Sequence, residues 1–305
     1  MGGYFEKRRE KEWYSLIQVV LITDERYMKF AATTIASVLN TAERDVSITC
    51  IVSDISEETV SFYEEKFSES VQFLRFDEQT LRHIKAKHHV SRAAYIKIFL
   101  PEILKTMDRV IFLDSDILVM RDIGELWDRF EDTYSIQAVW DPGYDGVENE
   151  ILGLSPTDKT FNSGVMLMNL SKMRQWQETE QLATFVEEKN HLTILNDQAA
   201  FNAVYAHKWG ALPLKWNVQY HFYFASKDDV GLTKIEKTKL LNEPWIVHFS
   251  THSKPWMFRN NHPLKSKFRQ VFETINGRLR YQDVNMSAFA KKVKESFTLM
   301  KYKNK

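Results

Sequence analysis

The chain of 305 residues contains a single cysteine. Cys50 therefore has no partner for an internal disulfide, and an all-cysteine metal site is excluded. Glycine and proline are sparse, at 10 and 7 residues, and no low-complexity segment or internal repeat is found. Neither charge dominates, with 41 basic and 41 acidic side chains, which argues against a dedicated nucleic-acid binder. No apolar run is long enough to span a bilayer. Met-Gly-Gly-Tyr is followed by charges rather than by an apolar signal region, and Glu6 breaks the myristoylation pattern. The expectation is a cytoplasmic protein with a large core.

The even charge conceals an asymmetry. From His262 to Lys305 there are eleven Lys/Arg against three acids, so this tail carries +8 and the remainder −8. Within it Met286, Phe289, Val293, Phe297 and Met300 recur at helical spacing. Lysines 291, 292, 294 and 301 lie beside or opposite this stripe. Two readings fit: a helix lying in an anionic membrane surface, and a stripe packed on the rest of the chain.

The first half alternates strand-like and helix-like pieces. Strands are expected at Leu16–Ile22, Val46–Val52, Val71–Phe76 and Val110–Leu113. Helices are expected at Tyr27–Leu39, at Ser56–Phe67 with Ser56 as its cap, and at Ser91–Leu104, bent or ended by Pro101. This order implies a largely parallel sheet with helices on both faces. Further strands are expected at Ser135–Trp140, Gly164–Asn169 and Trp245–Phe249, and a helix at Asn196–Tyr205. Asp141–Thr160 contains three glycines and two prolines and reads as a long loop. Cys50, within Ile48–Val52, reads as a core residue.

The densest chemical signal is Val110-Ile-Phe-Leu-Asp114-Ser-Asp116. Two carboxylates at the carboxyl end of a buried strand stand where open α/β sheets bind ligands. They repel each other unless a cation lies between them. Two other acid-x-acid triplets, at Glu148 and Glu178, lie in polar surroundings and read as solvated.

Three further clusters accompany this pair. Asp24 and Tyr27 follow the first strand; Asp24 suits either a base N–H or the cap of the next helix. His248 follows the strand at Trp245, with Lys254 six residues on. An imidazole beside two carboxylates favours Mn²⁺ over Mg²⁺ or Ca²⁺, and Lys254 suits phosphate. Asn162, Ser163, Asn196, Asp197 and Gln198 open a strand and a helix, and suit hydroxyl recognition or, for Asn196, N-capping.

As an ordered set these clusters resemble glycosyltransferase family 8, the retaining GT-A enzymes that include bacterial lipooligosaccharide galactosyltransferases and glycogenin. The landmarks run from about Val19 to Trp256. They are Thr23-Asp-Glu-Arg-Tyr27, His89-Val-Ser-Arg-Ala-Ala-Tyr95, Phe112-Leu-Asp-Ser-Asp-Ile-Leu-Val119, Phe161-Asn-Ser-Gly164, Asn196-Asp-Gln198 and His248 to Trp256.

The resemblance implies a GT-A fold, with a Rossmann-like mixed and mostly parallel sheet, over residues 1–260, and a basic helical extension over 261–305. It implies transfer of glucose or galactose from a UDP-sugar to a hydroxyl of a glycan, glycolipid or glycoprotein. Asp114, Asp116 and His248 would bind Mn²⁺, with Mg²⁺ as the alternative ion. Asp24 and Tyr27 would hold uracil and Lys254 the diphosphate. Lys97, Ser115, Asn162 and Ser163 would join the donor contacts. Asp197 and Gln198 would serve catalysis, and His89, Asp141 and Thr251 would lie toward the acceptor.

Two positions depart from the family pattern. Lys97 stands where arginine is usual, losing a bidentate fork, and Thr251 stands where glycine is usual. Two rival readings are a haloacid-dehalogenase-like phosphatase, which also places Asp-x-Asp after a strand, and a sugar-binding protein without activity.

Overall fold

The computed structural model describes residues 16–81, 93–225, 230–281 and 283–303. β1 (Ile17–Asp24) explains the plan of the molecule. Its side chains alternate across the sheet. Ile17, Val19 and Leu21 enter one core and Val20 and Ile22 another. A strand apolar on both faces must be central and covered on both sides.

β1 pairs in parallel with β2 (Val46–Ser53) and, through its other edge, with β4 (Arg109–Leu113). β3 (Val71–Arg75) extends the parallel run beyond β2. Beyond β4, the order continues through β7 (Phe161–Asn169), β6 (Ile136–Trp140) and β8 (Gly210–Ala211). β7 is antiparallel to both β4 and β6, and β6 is parallel to β8. The seven-stranded sheet is thus mixed and mostly parallel, with β7 alone reversed.

One face is covered by α1 (Met28–Thr41) and α2 (Glu57–Phe67), through Ile35, Val38, Val60 and Tyr63. Ser56 caps α2 as expected, accepting from the Thr59 N–H. The opposite face is covered by α3 (Glu178–Lys189), α4 (Asn196–Val204) and the short helical turns from Ala93 to Ile103. The single helix expected over Ser91–Leu104 is, from Ala93 onward, two short α-helices joined by a 3₁₀ turn at Lys97–Phe99. Pro101 sits in the first turn of the last piece, where its missing N–H breaks no helical bond.

A second, three-stranded sheet is formed by β5 (Ile117–Val119), β10 (Ile246–His248) and β9 (Val218–Gln219), in the order β5-β10-β9. Its residues Leu118, Val218 and Val247 share a third core with Phe268 and Phe272. Those two aromatics lie on α6 (Lys265–Asn276), which follows α5 (Lys234–Asn242). α7 (Met286–Lys303) closes the described chain. Cys50 is buried in the first core, as expected.

This second sheet has one consequence for function. β10 runs antiparallel to β5 with His248 opposite Ile117, and the Phe249 N–H donates to the Asp116 carbonyl at 3.1 Å. The end of β10 is therefore fastened beside the end of β4.

Two expectations of solvated acids are corrected. Glu148 is buried and accepts from the Tyr144 hydroxyl and the Ile194 N–H. Glu178 accepts from Ser135 Oγ and from Tyr205 Oη at 3.0 Å each. Both acids anchor loops, which a count of polar neighbours in sequence does not reveal.

Candidate active site

Asp114 and Asp116 stand in a turn between β4 and β5 that α1 holds from below. Thr34 Oγ1 donates to the carbonyls of Ser115 (3.1 Å) and Ile117 (2.8 Å). Ser115 Oγ donates to the Ile22 carbonyl of β1 at 2.9 Å. Ser115 thus ties the two strand ends together.

His248 reaches this turn from β10. Its Nε2 lies 3.2 Å from Asp116 Oδ1 and 3.8 Å from Asp114 Oδ2. One donor atom from each of the three residues falls within 4.8 Å of the others. Two carboxylates and an imidazole converging on one point fit a divalent cation, and the nitrogen favours a transition ion. Gly164 on β7 makes the convergence possible. A β-carbon there would lie 2.2 Å from His248 Cε1 and 2.7 Å from Asp114 Oδ2.

The two carboxyls are electrostatically unequal. Burial alone would raise Asp116, but Lys254 and His248 overcome it and hold the carboxyl well below the usual carboxylate range. Lys254 Nζ is bonded to Asp116 Oδ2 and to the Phe249 carbonyl (2.7 Å). Asp114 is pushed upward by burial and by the charge of Asp116, against the pull of Lys97 and His248.

Lys97 is buried, with Nζ 2.9 Å from Asp197, 3.2 Å from Asp114 and 4.7 Å from the Phe112 ring centroid. Burial opposes its charge, yet the two carboxylates keep it firmly protonated. The lysine bridges Asp114 to Asp197 and so joins the cation-fitting corner to the start of α4.

From there the side chains form a buried amide network. Gln198 Oε1 accepts from the Ser163 N–H (3.1 Å) and from Asn162 Nδ2 (3.2 Å). Gln198 Nε2 donates to Asp141 Oδ2 at 3.0 Å, and Asn162 Nδ2 to the same oxygen at 3.1 Å. Ser163 Oγ donates to Asp197 at 3.2 Å. Asn196 is not an N-cap: Leu195 occupies that place, and Asn196 opens α4 with φ of 40°. Non-glycine residues rarely adopt that conformation. Here it is held because Asn196 Oδ1 accepts from the buried Tyr95 hydroxyl at 3.1 Å.

All of this borders one cleft of about 580 Å³. Asp24, Tyr27, Lys97, Asp114, Ser115 and Asp116 line it, with Asp141, Asn162, Ser163, Asp197, Gln198, His248, Thr251 and Lys254. His89 lies outside the described residues. Asp24 also serves locally, accepting from the Tyr27 N–H at 3.0 Å. Tyr27 is 39% exposed and packs edge-on against Phe30 and Trp256. At the other end of the cleft, Gly143 approaches His221 so closely that a β-carbon would sit 3.3 Å from its Nδ1.

The profile of glycosyl transferase family 8 matches residues 18–259. The chain belongs to that family. General stress protein A of Bacillus subtilis (strain 168) is 29% identical over 265 residues, covering 83% of this chain and 92% of that protein. Glycosyltransferase GlyF of Streptococcus pneumoniae serotype 4 is 30% identical over 241 residues. That match covers 78% of this chain and 56% of GlyF, so the chain matches about half the length of this relative. The crystal structure of the galactosyltransferase LgtC with donor and acceptor sugar analogues shares the fold. It has a TM-score of 0.74 at 19% identity, over 90% of this chain and 100% of that one. The fold is GT-A, and the family makes this protein a glycosyltransferase rather than a haloacid-dehalogenase-like phosphatase.

Several residues in or beside the cleft of this family 8 member escape a sequence reading. Asn217 precedes β9 and Gln219 ends it, and both are buried. Gln219 Nε2 donates to the Trp140 carbonyl at 3.0 Å, which fixes the backbone next to Asp141. Tyr144 and His221 also line the cleft. The available signal was faint: two amides at alternate positions, Asn217 and Gln219, around an otherwise apolar stretch.

Proposed function

We propose that the chain is a retaining hexosyltransferase that moves glucose or galactose from a UDP-sugar to a hydroxyl of a saccharide, glycolipid or glycoprotein. The observation that carries this is the convergence of Asp114, Asp116 and His248 within 4.8 Å beside a cleft large enough for a nucleotide sugar. In this reading those three residues hold Mn²⁺, or Mg²⁺ in its place. Such an ion would supply Lewis-acid stabilisation of the departing charge.

The chain's own residues would divide the remaining work. Asp24 and Tyr27 hold the base at the exposed rim. Lys254, whose ammonium group is bonded to Asp116, would contact the diphosphate. During transfer the bond from the sugar's anomeric carbon to the phosphate oxygen breaks, and its electron pair leaves with UDP. A bond to the acceptor oxygen forms on the same face, and the acceptor proton leaves with the diphosphate. Positive charge developing on the sugar is met by Asp197 and by the Gln198 carbonyl oxygen. Lys97 and Ser163 hold Asp197 in place, and Ser115 and Asn162 support the donor side. Asp141, Thr251 and His89 are assigned to the acceptor side.

We assign residues 1–260 to catalysis and 261–305 to an extension that associates with a membrane surface. Met286, Phe289, Val293 and Phe297 are all exposed, Met286 at 84%. The face of α7 turned inward is a different one. It carries Ala288, which is buried, Lys292, which donates to the Phe258 carbonyl, and Ser296, which accepts from Asn261. Lys294 lies beside the apolar stripe and Lys291 nearly opposite it, both exposed, which gives α7 the character of an interfacial helix. Among the described residues no helix is long and apolar enough to cross a membrane.

Ligand-induced thermal protection tests the donor assignment. UDP with Mn²⁺ should raise the unfolding temperature more than either alone, because both occupy one site. Tyr27→Ala should reduce the gain. Equal protection by ADP or GDP would refute the role given to Asp24 and Tyr27.

A further inference from the structure

An imidazole binds a cation only through an unprotonated nitrogen, and a neutral histidine leaves open which nitrogen that is. The hydrogen bonds around His248 decide it. The Gly164 N–H is a donor under all conditions, and it meets Asn162 at 3.0 Å, so the atom there is Oδ1. The other end of Asn162 is then Nδ2, which agrees with its two acceptors, Asp141 Oδ2 and Gln198 Oε1. A second backbone donor, the Ser163 N–H, independently requires oxygen at Gln198 Oε1. Asn217 approaches Asn162 Oδ1 at 2.9 Å, and only its Nδ2 can donate there. Its Oδ1 is thereby turned to His248 Nδ1 at 3.2 Å. An oxygen acceptor at that place holds a proton on Nδ1, so Nε2, facing Asp116 and Asp114, is the nitrogen left to bind a cation.

We propose that Asn217 is a positioning residue that imposes the cation-binding tautomer on His248 and ties that ring to the Asn162–Gln198–Asp141 network. Its side chain is 0% exposed, so solvent does not compete for either bond. Its backbone is placed by the parallel pairing of β9 with β10, which sets His248 opposite Gln219, two residues from Asn217. A metal-ligating histidine whose second nitrogen loses its partner binds its ion about 10–100-fold less tightly. The inference rests on the reading of Asp114, Asp116 and His248 as a cation site.

The test is Mn²⁺ binding to the full chain, followed by the electron-spin signal of free Mn²⁺, for wild type, Asn217→Leu and Asn217→Asp. Asn217→Leu keeps the shape and removes both bonds, and should weaken binding about 10–100-fold. Asn217→Asp keeps an acceptor toward Nδ1, and should bind Mn²⁺ more tightly than Asn217→Leu while the donor KM rises through the lost bond to Asn162. A purely structural role would instead lower the unfolding temperature of both variants and leave Mn²⁺ affinity alike. Nitrogen NMR of ¹⁵N-histidine protein in alkaline buffer, assigned by His248→Gln, should show His248 protonated at Nδ1 and bare at Nε2. That measurement needs no Asn217 variant to fold. A proton on Nε2, or unchanged Mn²⁺ affinity in Asn217→Leu, would overturn the proposal. Failure of the wild type to bind Mn²⁺ would overturn the cation site instead, and the NMR tautomer would still decide the part played by Asn217.

Discussion

Gly164 and His248 are packed so tightly that a β-carbon on the first would lie 2.2 Å from Cε1 of the second. The same β-carbon would meet an Asp114 carboxylate oxygen at 2.7 Å. Neither neighbour is free to retreat, because His248 is held by Asn217 and Asp114 by Lys97. Gly164→Ala should therefore spread the cation-fitting corner while leaving the sheet intact. The expected result is a loss of transfer of at least about 100-fold, the scale of removing one preorganised electrostatic group. Far-ultraviolet circular dichroism should remain near wild type. Activity within a few-fold of wild type would show that this corner is not used.

His262 gives the fold an acid sensitivity that is separate from catalysis. It is buried among Tyr220, Tyr223, Phe224 and Phe249, and burial holds its imidazole down to about 3. The unfolded chain takes up the same proton near pH about 6.5. Between those values the unfolded state binds more protons, so stability falls as pH falls. The slope from this group alone is up to about 1.4 kcal/mol per pH unit. The His262 Nδ1 also accepts from the Leu264 N–H at 3.1 Å, a bond that protonation removes. His262→Asn should show a smaller drop in urea midpoint than wild type when pH is lowered through that window. Parallel drops in the two proteins would place the acid sensitivity elsewhere.

The exposed stripe on α7 leads to a membrane prediction. The full chain should co-sediment with anionic vesicles and not with neutral ones. Replacing Phe289 and Phe297 by serine should lower the bound fraction at least about tenfold, given the apolar area two phenylalanines bury. Both residues are exposed, so the change should leave thermal stability unaltered. Equal binding by both proteins, or binding indifferent to lipid charge, would remove the membrane assignment.

The parts of this architecture that were legible in the sequence are those built on local pattern. β1, β2 and β4 are continuous apolar runs of strand length, and Ser56 precedes α2 as a cap must. Asp114, Asp116 and His248 were legible for the same reason, since each stands at or just beyond the end of a buried strand. The reversal of β7 was not, because its side-chain pattern reads alike in either direction and only its pairing with β4 and β6 sets the sense. The break at Lys97–Phe99 was announced by Pro101, which cannot donate to the Lys97 carbonyl four residues back; only its exact place was not legible. Asn217 carried only a faint local signal, because its partners lie 31 and 55 positions away in the chain. Glu148 misled for the reverse reason: polar neighbours in sequence concealed a carboxylate buried by the fold.

The most direct test of the account is UDP release from UDP-glucose and UDP-galactose in the presence of Mn²⁺, with wild type compared to Asp116→Asn. Asp116 is the carboxylate that both His248 and Lys254 approach. The account predicts UDP release by wild type from at least one donor, its loss on adding chelator, and a decrease of at least about 100-fold in Asp116→Asn. Full turnover in excess chelator or in Asp116→Asn, or release of phosphate from simple monoesters in place of UDP, would contradict it.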